Sequence, residues 1–103
     1  MTMQDRERDF ENRFVHDQEL KFRIRMRRNK LLGLWAAEKL GKSEDEARAY
    51  AQEIIRADFD GPGDRDVSDH LKADLAGTGI SDAEIRERME ALLHEAEKQV
   101  MAE

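Results

Sequence analysis

Two four-residue stretches, Ser43-Glu44-Asp45-Glu46 and Ser81-Asp82-Ala83-Glu84, constrain this 103-residue chain more than any other feature. Each has the form of a capping box, in which a serine hydroxyl accepts from the amide three residues on. The glutamate at that third position can reach back to the serine's own N–H. Each stretch follows glycine, Gly41 in one case and Gly77 and Gly79 in the other, where a left-handed backbone ends a helix without steric penalty. Between them, Asp58-Phe59-Asp60-Gly61-Pro62-Gly63-Asp64 is the clearest breaker and holds the only proline. Helix formers fill the intervals, and β-branched residues occur mostly singly. The chain therefore reads as all-α, with helices up to about Leu40, over 44–58, over 65–76 and over 82–101. Loops this short favour antiparallel neighbours and a small four-helix bundle.

At about 100° per residue, Leu20, Ile24, Leu31, Leu34 and Trp35 share one face of the first helix. Phe22, Met26, Gly33, Ala37 and Leu40 share a roughly opposite one. A helix apolar on two sides is expected at the centre of a bundle, packed by several partners. The later helices are one-sided. Ala47, Tyr50, Ala51 and Ile54 line the second, Val67, Leu71 and Leu75 the third, and Ile85, Met89, Leu92, Leu93, Ala96 and Val100 the fourth. Arg27 falls inside the first stripe, which predicts that it snorkels or pairs with an acid from the C-terminal helices.

Residues 1 to about 17 behave differently. The stretch MTMQDRERDFENRF is nearly all charged or polar, and Phe10 and Phe14, one turn apart, lie nearer in direction to Lys21 and Arg28 than to either stripe. It has too little apolar surface to hold itself against a bundle, so it is expected to be disordered or a frayed helix when free. It is either a plain polar tail or an amphipathic segment that folds into a partner's groove, with the two phenylalanines as anchors.

Charge is uneven. The first 30 residues carry a net +3 and the remaining 73 a net −9. Residues 21 to 30 hold six bases and no acid: Lys21, Arg23, Arg25, Arg27, Arg28 and Lys30. Such an asymmetry predicts that the two parts pair at least partly within the fold; it equally permits a basic surface for an acidic partner. A nucleic-acid reader presents one basic face and a domain pI above about 9. Here Lys21, Arg25 and Arg28 line one flank, Arg23 and Lys30 the other, and the pI is near 5.1. A small helical adaptor or a nucleic-acid binder using Lys21 to Lys30 is the alternative reading.

The chain has no cysteine, which excludes disulfide scaffolds, thiol catalysis and cysteine-held metals. The longest apolar run, Leu31 to Ala37, is interrupted by Gly33 and far short of the roughly 20 residues that span a bilayer. The charged N-terminus does not resemble a signal peptide, so a soluble intracellular domain is expected. His70 and Asp74, spaced i,i+4, suggest a surface hydrogen bond rather than a metal site. Asp58, Asp60, Gly63, Asp64, Asp66 and Asp69 loosely echo a calcium loop, but Pro62 at the fifth position and Asp69 at the twelfth spoil it. A solvated acidic linker is the better reading. Gly41-Lys42-Ser43 lacks the first glycine and the preceding strand of a phosphate-binding loop. No catalytic constellation emerges, no cofactor is expected, and the chain is read as a non-enzyme.

The stretch HDQELKFRIRMRRNKLLGLWAAEKLG, His16 to Gly41, closely resembles the zeta subunit family of bacterial F-type ATP synthases, small inhibitors of ATP hydrolysis. Its most specific part is the unbroken run Arg27-Arg28-Asn29-Lys30-Leu31-Leu32-Gly33-Leu34-Trp35-Ala36-Ala37. Phe10-x-x-x-Phe14, His16-Asp17 and the total length also look like the family, while Met26 stands where a smaller residue would be expected. The resemblance implies a four-helix bundle, residues 18–103, behind an N-terminal inhibitory arm, residues 1–17. In the family that arm inserts at a catalytic α/β interface of the ATPase head beside the γ stalk. Carried over, the inhibitory stretch would run from about Met1 to Glu19. Arg6, Arg8, Phe10, Arg13, Phe14 and Asp17 would then meet the partner, while Arg27, Arg28, Asn29, Leu31, Leu34 and Trp35 would be the motif of the bundle. The partners implied are the α, β and γ subunits, with no nucleic acid and no insertion into the membrane. The chain would be a monomer when free, cytoplasmic, and peripheral at the inner face of the plasma membrane through the synthase.

Overall fold

The structure is a computed structural model that describes residues 3–60 and 64–103, with the side chains of residues 17–59 and 64–103. Four helices follow in order: α1 (Met3–Lys39), α2 (Glu44–Asp60), α3 (Asp64–Asp74) and α4 (Asp82–Met101). No strand occurs among the described residues. The all-α reading holds, with helix ends within two residues of those expected.

The ends form for the reasons the sequence suggests. At the end of α1, Gly41 takes φ +71°. The Lys42 N–H donates to the Ala37 carbonyl at 3.0 Å and the Gly41 N–H to the Glu38 carbonyl at 3.1 Å, the paired bonds of a Schellman motif. The capping box of α2 is reciprocal: the Glu46 N–H donates to Ser43 Oγ at 3.3 Å and the Ser43 N–H to Glu46 Oε1 at 3.1 Å. Accepting from the Ser43 backbone holds the Glu46 carboxyl below its usual range. At α4, Ser81 Oγ accepts from the Glu84 N–H at 3.1 Å.

α1 packs against both α2 and α4, and α3 closes the bundle by touching those two. Leu32, Ala36, Ala37, Tyr50, Ile54, Val67, Leu71, Leu75 and Ile85 form the buried core, with Trp35, Leu40, Ile80, Met89 and Leu92 packed half-buried around it. Gly33 is what brings α1 and α2 together. A Cβ built there would lie 2.6 Å from Ala51 Cα, closer than side chains approach backbone.

One expectation about α1 is corrected. Its buried line is Arg28, Asn29, Leu32, Gly33, Ala36 and Ala37, which takes Gly33 and Ala37 from the second proposed stripe and fills the gap between that stripe and the first. Those stripes flank one broad face rather than opposing each other. Leu31, Leu34 and Trp35 are half-buried on one flank, while Phe22 and Met26 on the other are largely exposed. The physical reason is that α2 and α4 pack against different flanks of α1 and α3 closes the space between them, so the gap between the stripes points at the centre. Arg28, read as a surface base, is thereby carried inside.

α2 and α4 both run antiparallel to α1. Among the described side chains, the end of α2 reaches Phe22 through the Phe22–Phe59 ring contact, and Glu103, just past α4, reaches Arg23 through an ion pair. α1 continues N-terminally of that end, which makes the molecule 62 Å long and about 25 Å across.

Candidate functional site

The decad Lys21 to Lys30 lies where α1 leaves the bundle, and its side chains point in several directions around the helix. Three adjacent residues each tie α1 to a different helix. Arg27 donates to Gln99 Oε1 at 2.9 Å and pairs with the Glu103 carboxylate, at the end of α4. Arg28, 3% exposed, pairs with Asp64 at the start of α3 at 2.8 Å. Asn29, 1% exposed, donates from Nδ2 to Asp58 in the last turn of α2 at 2.8 Å. The expected acid for Arg27 is therefore present, and it comes from the C-terminus of α4.

The triplet is also joined to itself and to Arg25. Arg28 donates from Nε and Nη2 to Asn29 Oδ1 at 3.0 and 2.8 Å, which fixes the amide so that its NH2 group faces Asp58. Arg25 grips Asp58 with two parallel bonds of 2.6 and 2.7 Å, a planar fork that a lysine could not offer. Asp58 sits at a helix C-terminus, where the macrodipole disfavours a negative charge and α2 has no base in its last turn. Burial works to raise its pKa. Hydrogen bonds from Arg25 and Asn29, with the charges of Arg25 and Arg28, outweigh that and hold the carboxyl below its usual range. Asp58 in turn raises Arg25.

The acids Asp58 and Asp64 were expected in a solvated linker; instead they complete this collar. Sequence reading missed them as partners of the decad, although the charge asymmetry had called for such pairing. Asp60, also in that loop, lies outside the described side chains. Four of the six bases are engaged, leaving only Lys21 and Lys30 without an ion pair among the described residues. That removes most of the basic surface on which nucleic-acid binding would rest. No grouping of metal-ligating side chains occurs among the described residues.

At the other end of the bundle, His70 Nε2 lies 3.1 Å from Asp74 and 3.9 Å from Glu53 but is buried without a hydrogen-bond partner among the described residues, so the expected surface hydrogen bond does not form. Tyr50 donates its hydroxyl to Asp74 at 2.8 Å, tying α2 to α3. Burial, then the bond to Asp74, pushes the phenol above its usual value.

Of the proposed arm residues, Arg6, Arg8, Phe10, Arg13 and Phe14 lie outside the described side chains; Asp17 is exposed on α1. The structure does not bring them together with the motif, which sits further along the same helix. Arg27, Arg28 and Asn29 fasten α1, and Trp35 packs against the core with Arg88 5.5 Å over its ring, while Leu31 and Leu34 are half-buried.

The sequence profile of the family described as ATPase inhibitor subunit zeta matches residues 1–99. The chain belongs to this family. A protein whose structure was determined in solution by NMR is similar to it, with 47% identity over 81% of this chain and 96% of that one, and a TM-score of 0.74. No curated protein matches. The zeta family is one of inhibitor subunits and not of catalysts. No helix among the described residues is long and apolar enough to cross a membrane.

Proposed function

We propose that this zeta-family chain inhibits ATP hydrolysis by the F-type ATP synthase by inserting its N-terminal arm at a catalytic α/β interface, next to γ. Residues 1–17 act as the arm and 18–103 as its holder. The observation that carries the reading is the arginine collar at the end of the bundle. It anchors one half of α1 to all three other helices and leaves the other half to run on past them. A helix so anchored presents its free half in a defined direction, which lowers the ordering entropy that a wholly loose arm loses on docking. Phe10 and Phe14, spaced i,i+4, form one apolar ridge when helical, and Arg6, Arg8 and Arg13 ring it with charge. The chain would reach the inner face of the plasma membrane through the α, β and γ subunits and remain a monomer when free.

The test adds purified protein to the cognate ATPase head and follows hydrolysis, alongside a variant lacking residues 1–17. The intact chain should inhibit. The truncated one should keep its helicity, lose less than about 1 kcal/mol of stability and inhibit little. Equal inhibition by both would refute the assignment of function to the arm.

A further inference from the structure

At the end of the bundle where α1 emerges, an apolar patch faces solvent. Phe22 of α1 is 47% exposed, Met26 37% and Phe59 of α2 62%. The two rings meet edge to face with centroids 5.4 Å apart. Together with Ile55 they border a shallow cleft of about 200 Å³. Its polar wall is Arg25 and Asp58, which neutralise each other through two hydrogen bonds. The cleft thus offers an apolar floor with no net charge, suited to an apolar protein surface rather than to an anion.

We propose that this patch is a second contact with the ATPase head, an extension of the arm's footprint onto the bundle. The proposal rests on the inhibitory reading of the arm. Two features select this occupant. First, Phe22 lies on the same unbroken helix as Phe14, eight residues or roughly 12 Å along it. Whatever grips the arm as a helix therefore lies beside the patch. Second, the area is wrong for self-association. Fully buried phenylalanines contribute about 150–250 Å² each, so these exposed fractions leave on the order of 300 Å² for the three side chains. A stable dimer needs roughly 800 Å² from each partner. The patch is too small to hold a partner alone and the right size to add to a larger interface. Two phenylalanines exposed side by side, one of them on a different helix from the arm, are not needed by the fold.

Phe59 allows a clean test because it lies outside the arm and is the most exposed of the three. Phe59→Gln and the more disruptive Phe59→Glu are compared with wild type for helicity, thermal unfolding, sedimentation and inhibition of the cognate head. Both variants should fold, sediment as wild type does, and raise the half-inhibitory concentration by about tenfold or more. If Glu unfolds the protein, Gln carries the test. Wild-type inhibition that is unchanged in Phe59→Gln overturns the patch and leaves the arm's role standing. A wild-type dimer that either substitution dissociates also overturns it, by making the face a contact between copies. Absence of inhibition by wild type itself takes down both readings, and is told apart because there is then no inhibition for Phe59 to alter.

Discussion

Replacing Gly33 by alanine adds one methyl group between α1 and α2, and the structure fixes what that methyl meets. Its nearest neighbour would be Ala51 Cα at 2.6 Å, with Ala51 Cβ at 3.1 Å and Ala51 N at 3.3 Å. Two of these are backbone atoms, so no rotamer change relieves the clash. Ordinary carbon contacts lie near 3.5–4.0 Å, so the two helices must separate by about 1 Å. A gap of that size around Leu32 and Ile54, both fully buried, forfeits a quarter to a half of each affected dispersion contact. Overpacking against backbone, which cannot move aside, falls in the upper part of the usual range at about 2–3 kcal/mol, and the better helix propensity of alanine returns about 0.8–1 kcal/mol. The net expectation is a loss of about 1–2 kcal/mol, or roughly 5–15 °C in Tm. Urea denaturation followed by helical circular dichroism measures it. Adding Ala51→Gly should not rescue the variant, because Cα rather than Cβ is the closest atom. A Gly33→Ala protein as stable as wild type, or more so, would refute the close crossing.

Four further outcomes follow from the collar and the core. Asp58→Ala strands the Asn29 amide and the Arg25 fork, and should destabilise by about 2–3 kcal/mol in chemical denaturation. The Asp58 carboxyl is held below its unfolded value of about 3.9, so its stabilisation is complete above that pH and is lost as pH falls through the folded value. Asp58→Asn should flatten that acid limb of the stability–pH curve; an unchanged limb would assign it to other carboxylates. Trp35 is half-buried, so Trp35→Ala should cost about 2–3 kcal/mol rather than the 3–5 kcal/mol of a fully buried indole. Arg88→Ala, which removes only the cation over that ring, should cost below about 1 kcal/mol.

Local chemistry made the helix ends legible in the sequence. A serine and a glutamate three residues apart, or a glycine before them, act within one turn and need no knowledge of the fold. The one-sided faces of α2, α3 and α4 were readable for a similar reason, since each buries a single apolar stripe, although Leu93, assigned to the face of α4, lies at its edge and is exposed. The face of α1 was not. Its buried line includes Arg28, which the sequence reading set on a basic flank, and Asn29, which neither apolar stripe included. They are inside only because Asp58 and Asp64, about 30 or more residues away, arrive to meet them. Arg27 was placed correctly because a base within an apolar stripe calls for a distant acid. Arg28, on what looked like a polar flank, gave no such signal. The patch at Phe22 and Phe59 was hidden for the opposite reason. Phe22 looks like a core residue by type, and only the finite length of α2 and α4 leaves it uncovered.

The proposed inhibition depends on a ridge that Phe10 and Phe14 would form on the docked arm, and the most direct measurement is inhibition of the cognate ATPase head by the double variant Phe10→Ala, Phe14→Ala. Burying two phenylalanines contributes several kcal/mol, on the order of a hundredfold in affinity. The double variant should show wild-type helicity and unfolding, because both residues lie N-terminal to the collar. Its half-inhibitory concentration should rise by about a hundredfold. A folded double variant that inhibits hydrolysis as well as wild type does would contradict the account.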